Sequence, residues 1–292
     1  MTVPSAGPGP GDDPLDRLDA RQRTLLDVWL PGAVVLADHS WGLVPTRVLE
    51  VDHAGERYAV KAAGPDDTHL PRELEAHRRW TGPWVRAGRG PELVHADPGA
   101  RLLVTRWVPG VLAVGTPAQH DPGVHRQAGA LLAALHAQER VVDADLEARE
   151  NARALAWLDR PHGLEPDAVR RVRDVLAAWS PGPVTTVPAH GDFQPRNWVV
   201  DAGVVRVIDL GRAALRPAAS DLVRMSAQEW RDDPSLADAF VEGYGSDPRD
   251  AATWWVTSLR EGVCTAGWAR MVGDAPFEAQ GLRMVDEALA RL

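Results

Sequence analysis

The feature that most constrains the fold is a change in hydrophobic pattern at Pro109-Gly110. Before this dipeptide, residues 33–63 and 101–108 read as short β-strands, with helical patterns at 15–30 and 72–80. After it, helical periodicity dominates, and only residues 186–210 return to a β pattern. Strands and helices segregated along a chain predict an α+β fold. We expect a disordered tail over 1–14, a small β-rich part over 15–108 and a larger helical part over 109–292.

Composition excludes several classes of protein. The chain has 292 residues, 45% of them hydrophobic, and a net charge of −9, which predicts a folded core and disfavours a broad nucleic-acid-binding surface. Its one cysteine, Cys264, cannot form an internal disulfide and is expected to pack in a helix. No apolar run is long enough to span a bilayer, and the first residues do not resemble a signal peptide. We therefore expect a cytoplasmic monomer or homodimer with no nucleic-acid or membrane partner.

Lysine usage singles out one position. The basic residues are 31 arginines and a single lysine, Lys61, at the end of the strand pattern RYAVKAA. In a chain that otherwise uses arginine, a retained lysine is expected where a compact ammonium is needed. An exposed strand residue retained by chance is the alternative. Lys61 precedes Glu73 on the helical pattern RELEAHRRW, so a carboxylate is available to fix the ammonium.

The β-rich island at 186–210 contains most of the candidate functional residues. Asp192 and Asn197 lie five residues apart in HGDFQPRN, between two short strand patterns, and Asp209 ends the strand pattern VVRVID. Two carboxylates and an amide that converge in a cleft are suited to Mg²⁺, which keeps several waters and binds substrate phosphates. A polar loop that only caps a hairpin is the alternative. Phosphoryl transfer needs this set, with Asp192 to orient a hydroxyl and Lys61 to neutralise phosphates.

The order of these motifs resembles a known family. HGDxxxxN followed by IDLG is similar to the aminoglycoside phosphotransferase and choline kinase branch of the protein-kinase-like fold, and YAVK, LPRELEAHRRW, LLVTRWVPG and ALLAALH occur at matching places. The resemblance covers roughly residues 33 to 290. It implies a bilobal fold with a small β-rich N-lobe and a larger helical C-lobe. It also implies ATP or GTP with Mg²⁺ in the cleft between the lobes.

The resemblance implies roles for individual residues. Asp192 would be the catalytic base, Asn197 and Asp209 the Mg²⁺ ligands, Lys61 the phosphate-binding cation and Glu73 its orienting partner. Backbone groups near Arg106 and Val108 would bind the adenine. His190 would be structural, with its ring hydrogen-bonded near Asp209; His136 is expected to be a core histidine, and Asp221 would brace the catalytic loop.

One departure concerns the phosphate-covering loop. The family pattern is glycine-rich, but DHSWGLVP at 38–45 contains only Gly42. Ser40, or backbone N–H groups around Trp41-Gly42, would then cover the phosphates.

The implied activity is transfer of a γ-phosphate to a hydroxyl of a small molecule, most simply an antibiotic such as an aminoglycoside. A metabolic kinase acting on choline, ethanolamine, homoserine or a sugar is the first alternative, and a nucleotide-binding pseudokinase is the second. Residues 221–292 contain 13 acidic residues and 7 arginines, and a carboxylate-lined cleft would attract a polycation. The candidate carboxylates are Glu229, Asp232, Glu261 and Glu278. Tryptophans in the same segment would instead favour a partly apolar acceptor: Trp230, Trp254, Trp255 and Trp268.

Overall fold

A computed structural model describes residues 14–41, 46–180 and 182–292. After a 3₁₀ turn at Pro14–Arg17 and helix α1 (Ala20–Trp29), the chain forms a five-stranded antiparallel sheet in the order β1-β2-β3-β5-β4. Its strands are β1 (Val34–Asp38), β2 (Arg47–His53), β3 (Glu56–Ala62), β4 (Leu93–Asp97) and β5 (Leu102–Arg106). Ala54 and Gly55 form the turn between β2 and β3, and both have positive φ. The tail predicted over 1–14 lies outside the described residues except for Pro14.

Two helices connect β3 to β4: α2 (His69–Arg79) and α3 (Gly82–Arg86). The buried face of α2 has the i, i+3, i+4, i+7 spacing of a helix packed on a sheet, with Leu70, Glu73, Leu74 and His77 pointing inward. Leu70 and Leu74 contact Leu103 of β5 in one apolar cluster. A buried glutamate is costly unless it is paired, and Glu73 has its partner in Lys61 of β3.

The remainder of the chain is mainly helical, as predicted. Its helices are α4 (Pro122–His136), α5 (Leu146–Leu158), α6 (Pro166–Ala178), α7 (Val223–Ala227), α8 (Glu229–Asp232), α9 (Pro234–Tyr244), α10 (Ala251–Val272) and α11 (Ala275–Leu289). One core lies between α4, α9 and the strand island, and a second lies between α5, α6, α10 and α11. Within the described ranges, no helix is both long and apolar enough to cross a membrane.

The β-rich island forms two three-stranded sheets inside this helical part. Their orders are β10-β9-β6 and β11-β8-β7. The strands are β6 (Val111–Leu112), β7 (Val141–Asp143), β8 (Val184–Ala189), β9 (Trp198–Asp201), β10 (Val204–Val207) and β11 (Ala214–Arg216). The sequence pattern predicted β8, β9 and β10. It missed β6, β7 and β11, which are only two or three residues long and too short to show a periodicity.

The two parts meet after β5, in the segment from Arg106 to Gly110, here called the hinge. Gly110 has φ of +125°, and a Cβ there would lie 2.6 Å from the carbonyl oxygen of Val200, so the close approach of the hinge to β9 requires glycine. The Trp84 indole of α3 donates to the carbonyl of Leu131 in α4 at 2.8 Å. The exact lobe boundary at 108/109 remains a prediction.

Candidate active site

Lys61 lies where the sheet faces the helical part. It is on β3, the central strand, and its Nζ donates to both oxygens of Glu73 on α2, at 2.7 and 2.9 Å. The same ammonium donates to Asp209 Oδ1 at 3.0 Å. Burial lowers the pKa of Lys61, but the carboxylates of Asp209 and Glu73 more than offset burial, so the net shift is upward and the side chain stays charged. The structure thus joins the lone lysine to one carboxylate from each part of the molecule.

Asp209 stands in an uncommon backbone conformation, two residues after β10 ends. Its φ is +67°, in the left-handed region that aspartate tolerates better than most residues. The side chain is 51% exposed, whereas the following residues Leu210 and Gly211 are buried. The neighbouring Lys61 ammonium holds the pKa of Asp209 below its ordinary value. A strained, accessible carboxylate beside a fixed ammonium is typical of a ligand-binding position.

Asp192 lies in the loop after β8 and is 5% exposed. Oδ1 accepts from Gln194 Nε2 at 2.5 Å and lies 3.0 Å from Arg224 Nη1; Oδ2 accepts from Arg196 at 2.5 Å and from Asn197 Nδ2 at 3.1 Å. Burial raises the pKa of Asp192, but Arg224, Arg196 and Arg212 lower it more, so the net pKa lies well below the ordinary range. The carboxylate is therefore an oriented anion at neutral pH.

The loop that carries Asp192 is braced from behind. Asp221 accepts from the backbone N–H of His190 at 2.8 Å and of Gly191 at 2.6 Å, and His136 Nε2 lies 3.1 Å from the same carboxylate. His136 Nδ1 lies 2.8 Å from the Tyr244 hydroxyl, so the prediction of a satisfied core histidine is confirmed. These contacts also confirm the predicted bracing by Asp221.

Two further contacts fix the loop against the Asp209 segment. His190 Nε2 donates to the carbonyl of Ile208 at 3.1 Å, as predicted for a structural histidine near Asp209. Gly191 has φ of +78°, and a Cβ there would lie 2.3 Å from the Arg212 carbonyl oxygen. Glycine is required at this position because the two segments run in contact.

The donor set at Asn197 and Asp209 fits a magnesium ion. Asn197 Nδ2 donates to the Asp192 carbonyl at 2.7 Å, which directs the amide nitrogen inward. Within the described residues, Asn197 Oδ1 and Asp209 Oδ2 accept no hydrogen bond and so remain available as hard oxygen ligands. The Ile208 N–H donates to the Asn197 carbonyl at 3.0 Å, so the backbone holds the two ligand-bearing segments side by side.

The other residues predicted to contact the nucleotide are Ser40, Gly42, Arg106 and Val108. The Ser40 hydroxyl accepts from the Val48 N–H at 3.0 Å, so it closes the β1–β2 loop, and Gly42 lies outside the described residues. The Arg106 N–H is used by the Glu92 carbonyl at 2.9 Å, and its side chain pairs with glutamates on the outer face. Val108 has no backbone hydrogen bond to the described residues, and the adenine contact near Arg106 and Val108 stays a prediction.

Sequence reasoning missed the arginines around Asp192. Arg224 bridges Asp192 and Glu261, which it contacts at 2.7 Å, and Arg196 lies inside the HGDFQPRN motif itself. In a chain with 31 arginines, no composition signal separates these from solvent-exposed ones. The signal that existed was positional, because Arg196 is four residues from Asp192.

The acceptor residues predicted in the last quarter of the chain have different surroundings, and their role stays a prediction. Of the four candidate carboxylates, Glu261 lines a cavity beside Asp192, whereas Glu229 is buried against Gln119 and Glu278 pairs with Arg270. The four tryptophans pack instead of lining this cavity, and Trp268 stacks on Trp41 with ring centroids 5.9 Å apart. Cys264 is buried and burial raises its pKa to about 12, in keeping with its predicted packing role.

Most of the chain matches a known protein family. A family model described as the phosphotransferase enzyme family matches residues 40–254. No protein of curated function matches the chain by sequence.

Solved structures show the same fold at low identity. A ternary complex of a thermostable mutant of aminoglycoside phosphotransferase APH(4)-Ia with AMP-PNP and hygromycin B is 17% identical, with a TM-score of 0.70 over 94% of this chain and 99% of that one. Choline kinase LicA from Streptococcus pneumoniae is 12% identical, with a TM-score of 0.66 over 93% and 98%. Macrolide 2'-phosphotransferase MphH from Brachybacterium faecium is 16% identical, with a TM-score of 0.57 over 93% and 98%. The protein-kinase-like fold is thus confirmed, and by its family match the chain belongs to the phosphotransferase enzyme family.

Proposed function

We propose that the protein is an ATP-dependent phosphotransferase that moves the γ-phosphate to a hydroxyl of a small molecule. The observation that carries the proposal is the ammonium of Lys61, held 2.7 Å from Glu73 and 3.0 Å from Asp209. It supports nucleotide binding because the phosphates of ATP need a fixed cation beside a metal ligand. That the ADP and AMP-PNP complexes of APH(4)-Ia share the fold supports ATP as the donor.

The residues divide the chemistry between them. Lys61 would bind the α- and β-phosphates, with Glu73 fixing its position, and Asn197 and Asp209 would hold Mg²⁺, which supplies charge neutralisation on the phosphates when bound. Asp192 would accept the hydrogen bond of the acceptor hydroxyl and aim its oxygen at the γ-phosphorus. Its low pKa makes it a weak base, so it orients the hydroxyl first and takes the proton late, as the O–P bond forms.

An intact set of groups favours an enzyme over a nucleotide-binding pseudokinase. A module that only binds nucleotide has no use for Asp192, yet this carboxylate is braced from several sides. The phosphate-covering loop motivates the pseudokinase alternative, since it contains one glycine over 38–45. Consumption of ATP with any acceptor decides between them.

The acceptor class needs its own test. The neighbouring structures include enzymes named for an aminoglycoside, for choline and for a macrolide, so the fold alone selects none of them. An antibiotic acceptor therefore stands beside the metabolic alternatives of choline, ethanolamine, homoserine or a sugar. Mass detection of products about 80 Da heavier, after incubation with ATP and each acceptor, separates these classes.

The central experiment replaces Asp192 by asparagine. Asp192→Asn keeps the size of the side chain and removes the carboxylate, so turnover should fall roughly 10²–10⁴-fold. Binding of Mg·ADP, measured by calorimetry, should stay within a few-fold. Asp201→Asn is the matched control, because Asp201 is a surface residue of the same strand island, whose side chain is 47% exposed. Equal turnover in Asp192→Asn and the control would refute the mechanism.

A further inference from the structure

A small cavity opens directly beside Asp192. Its volume is about 60 Å³, and it is lined by the catalytic loop, α5, the segment from Arg216 to Arg224, and α10. This is several times the space that one water needs, about 10–15 Å³, and far below the roughly 300–1,000 Å³ of a pocket that encloses a whole ligand. One compact group of an acceptor fits here, next to the carboxylate that would receive its hydroxyl.

The carboxylates that line the cavity are already bound by the protein. Three glutamates each hold an arginine: Glu147 contacts Arg260 at 2.8 Å, Glu150 contacts Arg153 at 3.0 Å and Glu261 contacts Arg224 at 2.7 Å. Asp221 is occupied by two backbone N–H groups and His136, and Asp192 by Arg196 and Arg224. An ammonium group entering the cavity would therefore meet no uncommitted carboxylate among the described residues.

Two arginines near the cavity differ from these carboxylates in their pairing. Arg216 lines the cavity, and Arg212 lies against Gly191 of the catalytic loop. Neither guanidinium makes a hydrogen bond or an ion pair with the described residues, although both lie near enough to Glu261 to lower the pKa of that carboxyl. Burial, followed by the neighbouring Arg224 cation, lowers the pKa of Arg212 more than the carboxylates of Asp192 and Glu261 raise it.

A partly buried guanidinium beside a reaction centre is costly unless an anion completes it. Its planar fork of donors matches the paired oxygens of a carboxylate or a phosphate, and such charge-assisted hydrogen bonds are among the strongest that a protein makes. Arg212 is adjacent to Gly211 and so lies close to Asp209, where nucleotide phosphates would bind. Arg216, on β11 and in the cavity lining, is the arginine on the acceptor side.

We propose that the acceptor carries, besides the hydroxyl that is phosphorylated, one compact anionic group, a carboxylate or a phosphate, which Arg216 binds in the cavity beside Asp192. This rests on the proposed phosphotransfer and adds the substrate class. It places polycationic aminoglycosides outside that class, because the cavity offers them arginines and paired carboxylates.

The first test measures anion binding without knowing the acceptor. Sulfate and malonate serve as probes, with saturating Mg·ADP present so that the nucleotide phosphate positions are filled, and binding is followed by thermal shift. Arg216→Gln should weaken the apparent affinity for both probes about tenfold or more, because a hydrogen bond between charged groups is lost. Arg216→Lys should recover part of the affinity.

The matched control is Arg170→Gln on α6, since the Arg170 side chain is 66% exposed and pairs with Asp167 outside the cavity. It should bind the probes as the unaltered protein does. Equal probe affinity in Arg216→Gln and the control overturns the proposal. A folding defect would be seen as loss of Mg·ADP binding, and Arg216→Lys then supplies the comparison.

The second test uses related six-carbon polyhydroxy acceptors that differ in charge: glucose, glucosamine, gluconate and glucose 6-phosphate, with kanamycin as a polycation. Gluconate and glucose 6-phosphate distinguish a carboxylate from a phosphate. The anionic members should be phosphorylated fastest, and Arg216→Gln should raise their KM about tenfold while the KM for ATP stays within about twofold. Faster phosphorylation of glucosamine or kanamycin overturns the inference while leaving the phosphotransfer intact. Probe binding that depends on Arg216, without ATP consumption by any acceptor, contradicts the phosphotransfer alone.

Discussion

At the scale of single residues, the site consists of charged side chains that hold one another in position through ion pairs. Glu73 and Asp209 both hold Lys61, and Arg224 joins Asp192 to Glu261. Glu73, Asp192 and Arg224 are buried, and a buried charge is tolerated when it is paired. The identity of each side chain therefore matters more than its charge alone.

Lys61→Arg tests that identity. The side chain is 18% exposed and lies between two carboxylates, where a larger planar guanidinium cannot keep both contacts and the approach to the phosphates. Turnover should fall by about 10²-fold or more, the usual loss for one preorganised electrostatic contact. Steady-state kinetics against ATP measures this loss. Retention of more than half the activity would mean that any cation suffices at this position.

His77 makes the stability of the protein depend on pH. Both ring nitrogens are buried without a hydrogen bond, and burial, followed by the charge of Lys61, lowers the pKa to about 4. The unfolded chain, with an ordinary histidine pKa of about 6.5, then binds more protons than the folded one, so stability is fully present above 6.5 and is lost as the pH falls toward 4. Between pH 7 and 5 this residue should cost about 2 kcal/mol of unfolding free energy.

Urea titrations at the two pH values measure this contribution. In His77→Phe the pH-dependent loss should shrink by about that amount, whereas His53→Phe at the partly exposed end of β2 should retain it. An unchanged pH dependence in His77→Phe would assign the loss to other groups.

At the scale of elements, close helix contacts set the frame around the site. Helices α4 and α9 approach so closely that a Cβ on Gly243 would lie 1.8 Å from the Arg126 carbonyl oxygen, and one on Gly129 would lie 2.1 Å from that of Phe240. Helix α4 ends at His136, which contacts Asp221 and thus the catalytic loop. The distance between the backbones of α4 and α9 therefore affects the position of Asp192.

Gly243→Ala should separate α4 from α9. Overpacking of this kind costs about 1–3 kcal/mol, more than the roughly 1 kcal/mol that alanine gains in a helix, so net destabilisation is expected. Chemical denaturation gives the free energy. Gly64→Ala, where a Cβ meets nothing within 4 Å, should be neutral or slightly stabilising. No loss in Gly243→Ala relative to that control would show that the helices adjust freely.

At the scale of the whole molecule, a few contacts join the sheet to the helical part across the cleft. They include the Lys61–Asp209 pair, His69 Nδ1 at 2.9 Å from the Gly211 carbonyl oxygen, and the Trp41–Trp268 stack. A nucleotide bound between Lys61 and Asp209 would add contacts on both sides of the same cleft. Ligand binding should therefore stabilise the molecule as a unit.

Thermal unfolding with ADP and Mg²⁺ tests this coupling. At a free ligand concentration about 100 times Kd, binding adds about 2.7 kcal/mol, which should raise Tm by roughly 5 °C. Without Mg²⁺, or in Asp209→Asn, most of the increase should disappear, because Asp209 Oδ2 would be a metal ligand. An identical increase in the absence of Mg²⁺ would argue against the assignment of Asn197 and Asp209.

The segregated strands and helices, and the spacing of Lys61, Glu73, Asp192, Asn197 and Asp209, were readable from the sequence alone, because local periodicity and motif order are properties of neighbouring residues. Arg224, a partner of Asp192, was not, because it comes from a distant segment of the chain. The strands β6, β7 and β11 were not either, because two or three residues show no periodicity. Glu261 and Arg224 are 37 residues apart, yet they form one ion pair. Only the tertiary structure decided that the carboxylates around Asp192 are neutralised while Arg216 is left open, since charge pairing depends on distance in space and composition counts charges without placing them.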